Sequence, residues 1–217
     1  MNIAIFGASG ATGRLLTERS LAAGHTVSAL VRNPDKFAFR DKVRIVQGSA
    51  FDPRAVAETL ISANGKADAI FSALGAASPF RNENVLPRAV PLIVSRMQEN
   101  KIQRIIALGS AGAQSTSLSK QPAWRRWIVQ TIVYNVFLKY PVLEQISQYQ
   151  TLSTSSLDWT MVMPPMLSNA PARGHYRTDP DALPKNGSQI SRSDVADFMM
   201  QQLTTSQYSH HGVYITW

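Results

Sequence analysis

Short β-branched runs alternate with helical stretches through the first half of the chain, the pattern of a parallel sheet joined by crossover helices. Asn2 to Phe6 reads as a buried strand, and Ala11 to Ala23 as the helix behind it, closed by Gly24 at the C′ position. Further strands are expected at Thr26 to Val31, Val43 to Gln47, Ala69 to Ala73, Arg104 to Leu108 and Trp159 to Met163. Helices are expected from Pro53 to about Ile61, with Asp52 as cap, and from Asn84 to Asn100, where Pro87 and Pro91 interrupt the first turns. A polar loop from Ser110 to Gln121 leads into a mostly helical segment ending near Leu152. Residues 166 to 189 are rich in Pro, Gly, Asn and Asp, with a short strand at His175 to Thr178. Ser193 is the expected cap of a helix from Asp194 to Leu203, and Val213 to Thr216 forms the last strand. The expectation is an α/β fold: a Rossmann-like doubly wound parallel sheet with helices on both faces and an irregular C-terminal region on the substrate side. With no internal repeat and no long linker, residues 1–217 are expected to form a single domain.

The most informative segment is Gly7-Ala8-Ser9-Gly10-Ala11-Thr12-Gly13, set between the first strand and the first helix. A strand turning directly into a helix needs backbone angles that a Cβ obstructs. The helix start then offers unpaired N–H groups and a partial positive charge to a diphosphate. This points to a dinucleotide, although the same glycines can serve a turn without a ligand. The second strand ends in Leu30-Val31-Arg32-Asn33-Pro34-Asp35-Lys36. Folds that select NAD usually carry an acid there, whereas a guanidinium accepts a 2′-phosphate. Arg32, with Asn33 and Lys36 beside it, therefore points to NADPH; Asp35 stands close by and can instead cap the short turn.

The chain of 217 residues carries a formal net charge of +8 and no cysteine, which removes disulfides, thiolate metal sites and a cysteine nucleophile. No acid occurs between Glu99 and Glu144, while Lys101, Arg104, Lys120, Arg125, Arg126 and Lys139 do. Such a balance fits nucleic acid, an anionic membrane surface or small anionic ligands. The basic residues are scattered rather than clustered, so a phosphorylated cofactor is preferred to nucleic acid. No apolar stretch approaches the roughly 20 residues of a membrane span, and the start lacks a secretory pattern, so a cytoplasmic location is expected. No histidine has metal-ligand company at useful spacing, and no metal is expected.

With these residues in view, the chain resembles the atypical short-chain dehydrogenases of the NAD(P)H-binding, NmrA-like group, and within it the biliverdin reductase B (flavin reductase) type. The resemblance rests on Ile5-Phe6-Gly7 with the glycine turn, Leu30-Val31-Arg32, Ala73-Leu74-Gly75 and Gly109-Ser110-Ala111. It continues through Met163-Pro164-Pro165 and Ile190-Ser191-Arg192-Ser193-Asp194-Val195-Ala196-Asp197-Phe198-Met199. It implies that Leu74 and Gly75 pass along the cofactor, that Ser110 lies near the nicotinamide, and that Pro164, Pro165 and Met166 position its carboxamide. Three departures stand out. Ser49 follows Gly48 where the group usually has an acid near the adenine, and Met166 follows the Pro-Pro pair where flavin reductases often have a histidine. The segment Ala113 to Tyr140 is also longer.

The Tyr-x-x-x-Lys pair of typical short-chain dehydrogenases is missing: Tyr134 and Lys139 are one residue too far apart, and Tyr140 has no lysine four residues on. This fits hydride transfer to an acceptor whose conjugation needs little proton help, such as a flavin, a quinone or a linear tetrapyrrole. Ser110 is the expected catalytic residue, orienting acceptor or nicotinamide. Trp124, Arg125, Arg126 and Trp127 are candidates for the acceptor pocket, but an aromatic and aliphatic run such as Trp127-Ile128-Val129 with Ile132-Val133 and Val136-Phe137 more often packs a helix against a sheet or a second subunit, leaving monomer or homodimer open. His175 is a further candidate above the pocket. The rival readings are an NADP-binding sensor without turnover and a nucleotide-retaining isomerase or epimerase.

Overall fold

The computed structural model describes the chain except Ala63, Ala76, Ala77 and Pro79, and except the side chains of residues 134–137. Its centre is an eight-stranded sheet. In chain order the elements are β1 (Asn2–Phe6), α1 (Ala11–Ala22), β2 (Thr26–Val31), β3 (Arg44–Gln47), α2 (Pro53–Thr59), β4 (Ile61–Ser62) and β5 (Gly65–Lys66). Then come β6 (Ala69–Ser72), α3 (Val85–Glu99), β7 (Arg104–Leu108), α4 (Ala123–Ile128), a π-helical run (Val129–Phe137) and α5 (Lys139–Ser153). The chain ends with β8 (Asp158–Met163), β9 (Met166–Ser168), β10 (Arg177–Asp179), β11 (Gln189–Ser191), α6 (Arg192–Gln201) and β12 (His211–Thr216).

The sheet order is β10-β12-β8-β7-β6-β1-β2-β3, parallel throughout except for β10, which pairs antiparallel with β12. Order reverses between β1 and β6, which are neighbours in register from Ile3 opposite Ala69 to Phe6 opposite Ser72. A crevice at the carboxyl ends of the strands opens at such a reversal. Alternation sends each strand to two cores. Ala4 and Phe6 of β1 pack with α2 and α3 through Val56, Leu86, Val90 and Ile93. Ile3 and Ile5 pack with α1 and α6 through Leu16, Val195, Phe198 and Met199. Helices thus cover both faces, and the central strands are mostly apolar, with Ser28, Ser72 and Thr160 as buried polar exceptions.

The element boundaries shift for identifiable reasons. The expected helix from Pro53 stops at Thr59, because Ile61 enters a short strand opposite Lys66. The third helix begins at Val85, since Asn84 is left-handed with φ 50°. Pro87 falls in its first turn, where no N–H is needed, and Pro91 lies inside. The final helix starts earlier than expected, and its cap is Ser191 rather than Ser193: Ser191 Oγ accepts the Asp194 N–H at 2.9 Å. Ser191 is the last extended residue of β11, which pairs with β9, so the chain turns helical there. Ser193 Oγ instead accepts from the Arg19 guanidinium at 2.6 Å, tying α6 to α1.

Candidate cofactor crevice and active site

The first turn packs as tightly as its glycines allow. Gly7 has φ +81°, and a Cβ there would lie 2.5 Å from the Ala73 carbonyl oxygen at the end of β6. A Cβ on Gly13 would lie 2.1 Å from the Gly7 oxygen. The helix start therefore sits directly on the strand end, which is possible only without side chains at these places. The Gly7 carbonyl accepts the Gly10 N–H at 3.0 Å, and the first helical bond runs from Arg14 N–H to Gly10 O at 2.9 Å. Gly10 is the N-cap and supplies no side-chain bond, whereas Asp52 caps α2 by accepting Arg54 N–H at 2.9 Å. Ala11 and Thr12 therefore present backbone donors with no side chain to answer them, at the positive end of the helix.

Beside this turn lies a cavity of about 310 Å³, lined by Gly7, Ser9, Gly10, Arg32, Ser49 and Leu74 among others. Its further walls include Gly48, Phe51, Gly75, Glu83 and Val85. Arg32 is exposed at the end of β2 and forms no hydrogen bond or ion pair among the described residues, so its guanidinium is available to an anion. Asn33 and Lys36 are exposed next to it, in and before a short 3₁₀ turn, and do not line the cavity. Ser49 takes the place where an acid was expected; its Oγ accepts the Phe51 N–H at 3.2 Å. Phe51, Glu83 and Val85 escaped the sequence reading. Phe51 lies under the Arg88 guanidinium, 4.1 Å from the ring centroid, and gives the cavity a flat apolar wall. Its signal was available: an aromatic residue just after the glycine that ends the third strand.

The remaining candidates continue along the same sheet edge. Ser110, two residues past the end of β7, is half-buried and caps a short 3₁₀ turn, its Oγ 3.4 Å from the Gly112 nitrogen. Ala111 N–H donates to the Pro164 carbonyl at 2.8 Å, holding Ser110 beside the Pro-Pro turn that follows β8. Pro164 is buried, Pro165 half-buried and Met166 exposed at the start of β9. Read across the sheet, Ser49, Arg32, Gly7, Leu74, Ser110 and Pro164 follow β3, β2, β1, β6, β7 and β8, which are successive neighbours in the sheet.

The acceptor candidates, Trp124 to Trp127 and His175, stand outside the cavity lining. Trp124 is exposed on α4. Arg125 is tied down, donating to the Gly187 carbonyl at 2.8 Å and to Gln121 Oε1 at 3.2 Å. His175 is exposed, with Nδ1 3.0 Å from the Arg173 carbonyl oxygen. Its loop is pinned by Asp194, which accepts Arg173 N–H, Gly174 N–H, Ser191 Oγ and Trp217 Nε1. Burial alone would raise this carboxyl, but those donors outweigh it and hold its pKa below the ordinary carboxylate range. On α5 the residue four after Tyr140 is Glu144, and its carboxylate accepts Leu86 N–H at 2.9 Å at the start of α3. The site thus holds no tyrosine with a helical lysine partner at this spacing. Among the described residues, no group of three or more histidines and carboxylates could hold a metal.

The NAD(P)H-binding family matches residues 7–206. The chain belongs to that family. It is 26% identical over 219 residues to the Bacillus subtilis (strain 168) protein YwnB, covering 97% of this chain and 94% of that one. Among solved structures it superposes on ChuY, an anaerobillin reductase from Escherichia coli O157:H7, with a TM-score of 0.77 at 19% identity over 100% of this chain and 97% of that one. A short-chain dehydrogenase/reductase from Veillonella parvula DSM 2008, in complex with NADP, gives a TM-score of 0.77 at 19% identity, covering 100% and 94%. The family match makes this an NAD(P)H-binding chain, and the solved structures share its Rossmann-like fold. Among the described residues, no helix is long and apolar enough to cross a membrane.

Proposed function

We propose that the protein is an NADPH-dependent reductase that passes a hydride to a flavin, quinone or similar conjugated acceptor. The observation that carries the reading is the cavity at the first turn, with bare amides on one side and the unpaired Arg32 at the end of β2. A nucleotide fits that cradle: a Cβ on Gly7 or Gly13 would collide with backbone, and Arg32 stands where a carboxylate would repel a 2′-phosphate. Ala11 and Thr12 N–H would hold the diphosphate, Arg32 the 2′-phosphate, and Phe51 with Ser49 the adenine side. The reduced nicotinamide supplies the hydride when bound. Ser110 and the Pro164-Pro165 turn lie at the far end of the same edge, where they orient nicotinamide and acceptor. Glu144 is committed to α3, and no lysine stands four residues after Tyr140, so the site offers no tyrosine general acid of the usual kind. An acceptor that delocalises the incoming charge and takes its proton from water suits such a site. That a short-chain dehydrogenase of like fold binds NADP, and that another reduces anaerobillin, supports the reading.

The test follows loss of the nicotinamide absorbance band with FMN, a short-chain quinone and biliverdin as acceptors. Acceptor-dependent oxidation of NADPH is expected, and Ser110→Ala should lower kcat by about 10- to 100-fold with little change in NADPH affinity. NADPH binding without turnover on any acceptor would instead make the protein a sensor. Unchanged kcat in Ser110→Ala would remove that residue from the chemistry.

A further inference from the structure

The segment between β7 and β8 presents a surface that the cofactor crevice does not use. Trp124, Trp127 and Ile128 recur at helical spacing on α4, and their exposures are 67%, 61% and 39%. Ile132, one turn on, is 40% exposed, and Leu143 on α5 is 52% exposed. No residue of α4 is buried. The reason lies in Arg125. It points the other way, into the 183–187 loop, where it holds the Gly187 carbonyl, while Gln121 Nε2 holds the Leu183 and Pro184 carbonyls. Anchored on that side, the helix turns its indoles outward.

The charge around this stripe is mostly positive, with Asp181, exposed and 4.0 Å from Lys120 Nζ, as an acid on the adjoining loop. No acid lies between Glu99 and Glu144, and Glu144 is buried. Arg104 and Lys120 are neutralised by Asp158 and Asp179. Arg126 and Lys139 on the segment, and Lys185 in the anchoring loop, are exposed and form no salt bridge among the described residues. Indoles and branched aliphatics bordered by free cations match the boundary between headgroups and acyl chains of an anionic bilayer. A second copy is the poorer fit, because a two-fold contact would set the same basic patch against itself. We propose that residues 123–133, with Lys139, Leu143 and Lys185 alongside, dock the protein peripherally onto an anionic lipid surface, independently of turnover.

The experiment sediments the purified full chain with phosphatidylcholine vesicles, pure or containing about a third phosphatidylglycerol, at about 0.1 M salt. The protein should partition at least about 10-fold more strongly onto the anionic vesicles, with a blue shift of tryptophan emission. The double reversal Arg126→Glu with Lys139→Glu should lower that partitioning at least about 25-fold, since each cation near such a surface contributes a factor of about five. Trp124→Ser with Trp127→Ser should lower it by about 100-fold. All four side chains are exposed, so both variants should keep the wild-type circular dichroism; if one misfolds, the other and the wild-type lipid comparison decide. Failure of the wild type to sediment, equal binding to pure phosphatidylcholine, or variants that bind like wild type would each overturn the proposal. So would a concentration-dependent dimer abolished by the tryptophan substitutions, or tighter retention of a labelled RNA than of vesicles.

Discussion

Replacing Gly13 by alanine tests the fit of the first turn in a way that separates cofactor binding from general stability. The new Cβ would stand 2.1 Å from the Gly7 carbonyl oxygen, 2.8 Å from its carbon and 2.9 Å from Ala8 Cα, all of them backbone. No rotamer relieves such a contact, so the start of α1 must retreat by about 1 Å or more before ordinary van der Waals distance returns. The Ala11 and Thr12 amides retreat with it. A hydrogen bond stretched by that much is largely lost, and a bond to a charged group contributes about 1.5–3 kcal/mol. Losing one or two of them costs about 1.5–6 kcal/mol, or roughly 10- to 25,000-fold in the NADPH Kd. Intrinsic helix propensity favours alanine by about 1 kcal/mol, whereas the forced backbone shift costs about 1–3 kcal/mol, so a net loss of stability of up to about 2 kcal/mol should accompany the larger loss of affinity. Gly24→Ala is the control: φ is +75°, nothing lies within 4 Å of the added carbon, and only local strain of about 1 kcal/mol is expected. Isothermal calorimetry with NADPH reads both variants. A folded Gly13→Ala protein that binds within about threefold of wild type, or equal weakening by Gly24→Ala, would refute the reasoning.

Arg32→Ala should weaken NADPH binding by about 10- to 150-fold while changing NADH binding by less than about twofold, because only the former carries the 2′-phosphate; parallel losses would remove Arg32 from that role. Asp194 carries a pH signature. Its folded carboxyl is depressed, so its stabilisation is fully present above the unfolded value of about 3.9 and drains away as pH falls through the lower folded value. Asp194→Asn should therefore cost about 2–4 kcal/mol at neutral pH and flatten the acid limb of the stability curve, read by thermal melts between neutral and strongly acidic pH. An unaltered acid limb would contradict the assignment.

The glycine turn, the Arg32 position and the Asp52 cap were legible because each depends on contacts within a few residues, where spacing and residue type decide the geometry. The strand-by-strand edge of the crevice was legible for a related reason: apolar runs bounded by Gly or Ser mark strand ends in a parallel sheet. Other features depend on distant partners. The pairing of Met166–Ser168 with Gln189–Ser191 brings together short segments without strong alternation, and it is this pairing that moves the cap from Ser193 to Ser191. Asp194 gathers donors from residues 173, 174, 191 and 217, which no local pattern announces. The apolar content from Trp124 to Ile132 reads in sequence like a core-facing face, and only the anchoring of Arg125 to Gly187 turns it outward. Side chains at 134–137 lie outside the described residues, so their expected packing is left with the sequence.

The β1–α1 corner and Arg32 together should hold a phosphorylated nicotinamide coenzyme. Titrating the purified protein with NADPH and, separately, NADH in a calorimeter tests it most directly. One site per chain is predicted, with a Kd on the order of micromolar for NADPH and a clearly weaker one for NADH. Absence of heat and of competition with either coenzyme would contradict the account.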